Sequence, residues 1–488
     1  MLFNSVEFAI FFPVVTILFF LIPHRFRWFL LLIASCFFYM FFKPVYILIL
    51  LFTIIIDYFA GIWIAQQQDK RKKKYLLTLS IIANVGVLAV FKYYNFITIN
   101  INTIFEKLHY NDIIPLLNIL LPIGLSFHTF QAMSYTIEVY RGHQQPEKHF
   151  GIYALYVMFY PQLVAGPIER SQNILHQFHE VKTFEYANVR SGLIQMAWGL
   201  FKKVVIADRL SLFVNNVYTN PLNYKGLPLL TATVFFAIQI YCDFSGYSDI
   251  AIGSAKCMGY KLMVNFNKPY SATSIGEFWQ KWHISLSTWF RDYVYVPLGG
   301  NRVSTLKWYR NIMIVFLLSG IWHGANWTFL FWGFLHGIYL LIETTTNKKA
   351  RISDTSTKSL IIIFKQLRVF ILVCFAWIFF RAQNISQGFY VVRNLLSGLP
   401  HQFGEIISNR HFARLNLLYL NQSANEFIIA IIVVIFLFIV QRWQKKSTID
   451  VWLTSKPVFV RWSFYYVIII AFISLGIFNR SEFIYFQF

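Results

Sequence analysis

Residues 45–65 read VYILILLFTIIIDYFAGIWIA, twenty-one positions with one charged side chain, and the basic cluster Lys70–Arg71–Lys72–Lys73–Lys74 follows five residues later. An apolar helix of roughly 20 residues, rising about 1.5 Å per residue, covers the hydrocarbon core of a bilayer. A basic cluster beside such a run marks a cytoplasmic loop. Working outward, comparable runs lie near 6–22, 28–42, 75–99, 113–137, 193–216, 229–252, 309–322, 327–342, 360–380, 427–441 and 461–478. The expected fold class is therefore an all-α polytopic integral membrane protein with about 11–12 transmembrane helices. Two further stretches, 151–168 and 273–299, are too short or too polar to cross and are expected as re-entrant or interfacial helices shielded by protein.

Composition points the same way. Hydrophobic residues make up 57% of the 488-residue chain and charged residues 13%, too few to cover the surface of a soluble globule. Apolar content this high also excludes a disordered chain. The net charge of +22 does not call for nucleic acid as a partner, because the basic residues sit in short loops between apolar runs. Cys36, Cys242, Cys257 and Cys374 have no paired spacing, so neither a disulfide framework nor a metal site is expected. The first run, from Val6 to Ile22, has no basic leader and reads as a span rather than a signal peptide.

The basic loops give an orientation. Arg25 and Arg27 follow the first run, the Lys70–Lys74 cluster the third, and Lys256, Lys261 and Lys268 the seventh. Lys348, Lys349, Arg351 and Lys358 follow the ninth run, and Arg442, Lys445 and Lys446 the eleventh. With the N-terminus outside, all of these face the cytoplasm, and the tail from Arg480 to Phe488 faces outward. No internal repeat or Pro-rich linker divides the chain, which reads as one membrane domain over 1–488 with an extracytoplasmic tail at 479–488.

Polar residues at membrane depth mark sites or helix contacts. Asp243 and Asp249 stand six apart in YCDFSGYSD (241–249). They either pair with Lys or Arg of adjacent loops, holding helices together, or serve a pathway. In 273–299, Ser274 and Glu277 form a capping box that should start a helix. Trp279, Trp282, His283, Leu286, Trp289, Phe290 and Tyr293 then share one face, and Lys281, Ser285, Thr288 and Asp292 the other. Pro297 and Gly299–Gly300 end it. His283 is thus expected on the buried face, where desolvation favours a neutral imidazole. His323 stands in SGIWHGANW (319–327) between two glycines, where two short apolar runs meet. A broken helix at membrane depth is tolerated only where it is packed or lines a cavity. His128 and His336 lack such a frame and read as structural.

The run EFWQKWHISLSTWFRDY (277–293), followed by Trp322-His323-Gly324, resembles the membrane-bound O-acyltransferase family. The resemblance is closest to its bacterial branch of alginate O-acetylases, peptidoglycan O-acetylases and teichoic acid D-alanyl transferases. FYPQLVAGPI (159–168) and DFSGYSD (243–249) resemble further signatures of that branch. The resemblance implies helices arranged around a central channel, with His323 as the catalytic base and His283 as the second signature position. It implies acetyl transfer from a cytoplasmic thioester, acetyl-CoA or an acyl carrier protein, to an exported polysaccharide, with no tightly bound cofactor. Trp322, Asn326 and Asp243 are candidates for the channel wall or the oxyanion donors. The ending FIYFQF (483–488) resembles a Phe-x-Tyr motif in which a tyrosine is thought to carry the acyl group. Tyr485 would then relay acetyl to an extracytoplasmic SGNH or esterase-like transferase, or else simply anchor the chain at the interface. The expected location is the bacterial cytoplasmic (inner) membrane. Competing readings are a transporter or flippase, and a D-alanyl or lipid acyltransferase of the same family.

Overall fold

The computed structural model describes residues 1–110, 114–118, 121–164, 166–349, 359–408, 414–444, 449–478 and 483–484, without the side chains of 347–349. Among the described residues every regular element is a helix. This follows from the solvent, because in hydrocarbon a helix satisfies its backbone groups within one segment. The basic residues Arg351, Lys358, Lys445, Lys446 and Arg480 lie outside the described residues, as does most of the expected tail, Tyr485 included.

Among the described residues six helices are long and apolar enough to cross a bilayer: Tyr46–Gln66, Lys70–Lys107, Leu227–Cys257, Ser359–Arg381, Ala424–Trp443 and Val458–Leu475. Val6–Leu21 is apolar but shorter. The runs at 28–42, 309–322 and 327–342 are continuous helices, His24–Met40, Thr305–His323 and Trp327–Lys349, while two others differ from simple spans for identifiable reasons. Among the described residues of the run at 113–137 the helix is Leu125–Arg141, and it buries a file of polar side chains. The run at 193–216 is interrupted by a π-helical segment, Phe201–Ala207. The stretch 151–168 breaks into two short helices, Phe150–Met158 and Tyr160–Leu163, buried throughout except for Phe150. Ala165 of that motif lies outside the described residues.

The chain forms two compact units, one of residues 1–196 and 250–264, the other of 197–249 and 265–488. In the first, Asp57 explains its own presence in the most apolar run. Its carboxylate accepts hydrogen bonds from Ser80 Oγ at 2.5 Å and from Asn84 Nδ2 at 2.8 Å. Ser80 also reaches Thr136 Oγ1 at 3.2 Å, so three helices share one polar clamp. In lipid, where apolar surfaces gain nothing by hiding from water, such clamps help to choose helix neighbours. The segment 250–264 is sewn to the same unit by Gln177, whose amide donates to Lys261 O and accepts from Lys261 N–H, each at 2.9 Å. Met263 N–H donates to Glu169 in addition.

In the second unit, helices Thr305–His323 and Trp327–Lys349 form a tight hairpin. Helix Ser359–Arg381 adds Trp377 and Phe380 to an aromatic core with Trp332, whose ring stacks on Trp377 at 5.7 Å. All four cysteines are free thiols. Replacing Asp57 by Ala removes the charged acceptor that Ser80 and Asn84 share and should cost about 1–3 kcal/mol. The expected outcome is thermal unfolding in detergent some degrees lower than wild type, measured by a thiol-reactive dye or tryptophan fluorescence.

Candidate active site

His323 closes helix Thr305–His323, and the chain leaves it through Gly324. The hairpin explains the glycines. A Cβ on Gly320 would stand 2.4 Å from the carbonyl oxygen of Phe329, and one on Gly324 would stand 2.2 Å from the Phe329 ring. Backbone from one helix therefore lies directly on the other, and the turn that carries His323 is clamped. Asn326 caps the second helix, its Oδ1 accepting from Thr328 N–H at 3.0 Å, while its Nδ2 donates to Gln383 O at 2.9 Å.

The His323 ring is 3% exposed and is walled by aromatic edges: Trp322 at 4.9 Å, Trp332 at 5.0 Å and Phe380 at 5.4 Å. Trp322 also approaches His283, at 6.0 Å between ring centroids. One indole thus stands against both imidazoles. His283 is fully buried, with Phe244 edge-on at 4.6 Å. His336 meets Trp332 at 5.0 Å, the same indole that faces His323, and its Nδ1 accepts from Trp279 Nε1 at 3.3 Å.

The segment around His283 departs from the expected single amphipathic helix. The capping box is present, with Ser274 Oγ accepting from Glu277 N–H at 3.0 Å, and the Glu277 carboxylate reaching back to Thr273 N–H at 2.7 Å. Helix Ile275–Lys281 then stops, and a second helix, Ile284–Phe290, begins with His283 as its N-cap at φ +42°. A non-glycine residue in the left-handed region is uncommon, and it costs about 1–3 kcal/mol when the surroundings impose it. Here segment 265–267 imposes it. Asn267 N–H donates to Lys281 O, and Ile284 N–H to Asn265 O, both at 2.9 Å. Asn265 Oδ1 takes the Ser285 hydroxyl at 2.6 Å. The break resets the helical phase, so Ser285, expected on the polar face, is fully buried. Beyond it, Gly299 and Gly300 adopt positive φ and end the segment as expected.

The two carboxylates of YCDFSGYSD meet lysines, but not from loops. Lys202 and Lys203, adjacent in the π-helical segment Phe201–Ala207, are 3% and 1% exposed. Lys202 Nζ reaches Asp249 at 2.6 Å and Ser245 Oγ at 2.9 Å. Lys203 Nζ lies between Asp243 at 2.8 Å and Asp208 at 2.9 Å. The sequence reading missed both lysines, although two consecutive cations inside the apolar run 193–216 were the available signal. Among the described residues no cluster of three His, Cys, Asp or Glu side chains is arranged to hold a metal ion.

The model of the membrane-bound O-acyltransferase family matches residues 34–385. The chain belongs to that family. It is similar to a "Peptidoglycan O-acetyltransferase" of Helicobacter pylori, 37% identical over 392 residues, covering 75% of this chain and 73% of the relative. It is similar to a "Probable alginate O-acetylase AlgI" of Pseudomonas aeruginosa, 38% identical over 410 residues, covering 83% and 77%. A "Teichoic acid D-alanyltransferase" of Bacillus subtilis is 29% identical over 234 residues, covering 46% of this chain and 59% of the relative. The protein is thus a multi-pass membrane acyltransferase, and the transporter reading falls away.

Because the hairpin fixes the turn bearing His323, a single methyl group at Gly320 should be felt in catalysis. Displacement by about 1 Å can cost about 10²-fold in rate. Gly320→Ala is expected to remain in the membrane while acyl transfer per folded molecule falls to that degree. Size-exclusion chromatography beside an activity assay on the same sample checks it.

Proposed function

We propose that this acyltransferase passes acetyl groups from a cytoplasmic thioester to an exported polysaccharide at the bacterial cytoplasmic membrane. The relatives named as alginate and peptidoglycan O-acetylating proteins support the acceptor class, an alginate-, cellulose- or peptidoglycan-like polymer. Their identity to this chain exceeds that of the teichoic acid relative, which favours acetyl over D-alanyl as cargo. The observation that carries the chemistry is His323 on a clamped turn, with Trp322 in ring contact with both it and His283.

Acyl transfer from a thioester to a hydroxyl needs a base, a partner for the developing oxyanion, and a dry, oriented site. In this reading His323 takes the proton as the hydroxyl oxygen attacks the acyl carbon. The C–O bond forms, the C–S bond breaks, and the departing thiolate recovers the proton from His323. The products are an ester and a free thiol, and His323 returns to its starting state. His283 orients His323 or polarises the acyl carbonyl. Trp322 walls the site, and burial among aromatic rings keeps water from competing for the thioester. The donor, acetyl-CoA or an acyl carrier protein, remains a substrate and never a resident group. Only the acetyl group crosses, so nucleotide phosphates need not enter hydrocarbon, where charge is costly.

Tyr485, at the outer end of the charge-derived topology, would accept the acetyl group as a phenolic ester. An SGNH or esterase-like transferase outside the membrane would then move it to sugar hydroxyls. Lysines and arginines around 256–268 and 302–310 would attract the donor's phosphates.

A positioned base contributes on the order of 10²–10⁴ in rate. His323→Ala, expressed at the wild-type level, should lower polymer acetylation by at least about 10²-fold; retention of normal acetylation removes His323 from the mechanism. Incubation of the purified protein with labelled acetyl-CoA should release coenzyme A and leave an acetyl ester on the C-terminal peptide, read by mass spectrometry. Tyr485→Phe should lose that ester and the polymer acetylation together. Acetylation that survives Tyr485→Phe would end the relay without touching the histidines.

A further inference from the structure

The chain beyond helix Val458–Leu475 is tied back into the second unit at successive points. Arg209 Nη2 donates to Leu475 O at 2.6 Å, and Ile477 N–H donates to Val204 O at 3.0 Å. Further on, Phe483 and Ile484 are 0% and 3% exposed. Ile484 N–H donates to Asp243 Oδ2 at 2.8 Å, while Asp243 Oδ1 lies 2.8 Å from Lys203 Nζ. The Phe483 ring packs against Tyr247 at 4.6 Å and Phe244 at 5.5 Å. The same Phe244 meets His283.

Lys203 has Asp208 as a partner already. Asp243 is therefore not required merely to neutralise a buried ammonium, and two carboxylates on one cation leave acceptor capacity to spare. A main-chain N–H is a fitting donor for it, because hydrogen bonds to an ionised acceptor are roughly twice as strong as neutral ones. The bond reads the backbone at 484 whatever its side chain, while the slot between Phe244 and Tyr247 selects an aromatic ring at 483.

We propose that Asp243, fixed by Lys203, is a positioning residue that docks the carboxy-terminal segment through Ile484 N–H, with Phe483 as its aromatic key, beside the His283 wall of the site. This deepens the relay reading and rests on it for its purpose, since Tyr485 is the next residue in the chain. Docking itself is a separate, measurable property. Asp243 acts here through the tail and does not touch the reacting atoms.

The test uses the full-length protein in detergent and hydrogen–deuterium exchange read on the peptide covering 476–484. Asp243→Ala removes the acceptor, and Ile484→Pro removes only the donor while leaving every helix of the unit as it is. Both should speed exchange of that peptide by about 10-fold or more, the size expected for a hydrogen bond to a charged group. Ile484→Ala, which keeps the N–H, should exchange much as wild type does. Asp243→Asn, which keeps an acceptor oxygen without the charge, should fall between. Exchange in helix Leu227–Cys257 should not change in the Ile484 variants, which separates docking from general loosening. If Asp243→Ala fails to accumulate, Ile484→Pro against Ile484→Ala decides alone. Wild-type exchange of the tail in Ile484→Pro, or in a folded Asp243→Ala protein, overturns the proposal. Tyr485→Phe that acetylates polymer normally removes the relay while leaving the docking result standing.

Discussion

An ammonium group inside an apolar membrane protein is tolerable only with a carboxylate in contact, and the second unit is organised around two such ions placed side by side. In a regular α-helix, neighbouring side chains diverge by about 100°, so two consecutive lysines would not both enter one interface without strain. The wider π-helical turn at Phe201–Ala207 brings Lys202 and Lys203 inward together, and each finds one of the carboxylates spaced along helix Leu227–Cys257. Interruptions of this kind gather at functional sites. Here the interruption also presents the Val204 carbonyl to Ile477, so the feature that seats the lysines also guides the chain after the last helix. Buried ion pairs add little net stability against well-packed apolar residues, but losing one partner is expensive. Their value lies in fixing which residues face one another.

The hairpin that carries His323 relies on the opposite device, the absence of side chains. Gly320 and Gly324 let the backbone and ring of Phe329 lie where a methyl group would otherwise stand. Small residues at helix contacts are the ordinary means of close approach in membranes. The consequence is chemical as well as structural: the imidazole is held by a turn that has no room to shift, against the rings of Trp322, Trp332 and Phe380. On the other side of Trp322, His283 is fixed by a backbone conformation that segment 265–267 enforces. Two independent constraints thus converge on a single indole.

Much of this was legible in the residues. The apolar runs announced a helical membrane protein, the glycines around His323 announced a clamped break, and Ser274 with Glu277 announced a helix start that is present. What could not be read was whatever depends on a distant segment. The break at His283 arises from hydrogen bonds offered by Asn265 and Asn267, and no local pattern in 273–299 encodes it. Periodicity assigned Ser285 to a polar face because it presumed an unbroken helix. The carboxylates Asp243 and Asp249 were correctly suspected of pairing with cations, yet the partners came from a helix rather than from loops. Within the run 113–137, the helix described from Leu125 buries polar side chains that protein partners cover, and hydropathy alone does not show that.

The proposed relay would make the tail and the histidines one device. A thioester donor from one aqueous phase and a polymer in the other never need to meet if a short acyl group passes between them on protein. That arrangement calls for an acceptor whose approach is restricted, since a freely moving hydroxyl would give up the entropic advantage of an enclosed site. Restriction by apolar packing alone would fix Phe483 but leave the chain direction loose. A carboxylate immobilised by a buried lysine adds a directional contact to the main chain, one residue before the tyrosine, at the level of the ring that touches His283. The costly charge of Asp243 would then be explained by what it orients, which ordinary packing between two membrane helices would not require.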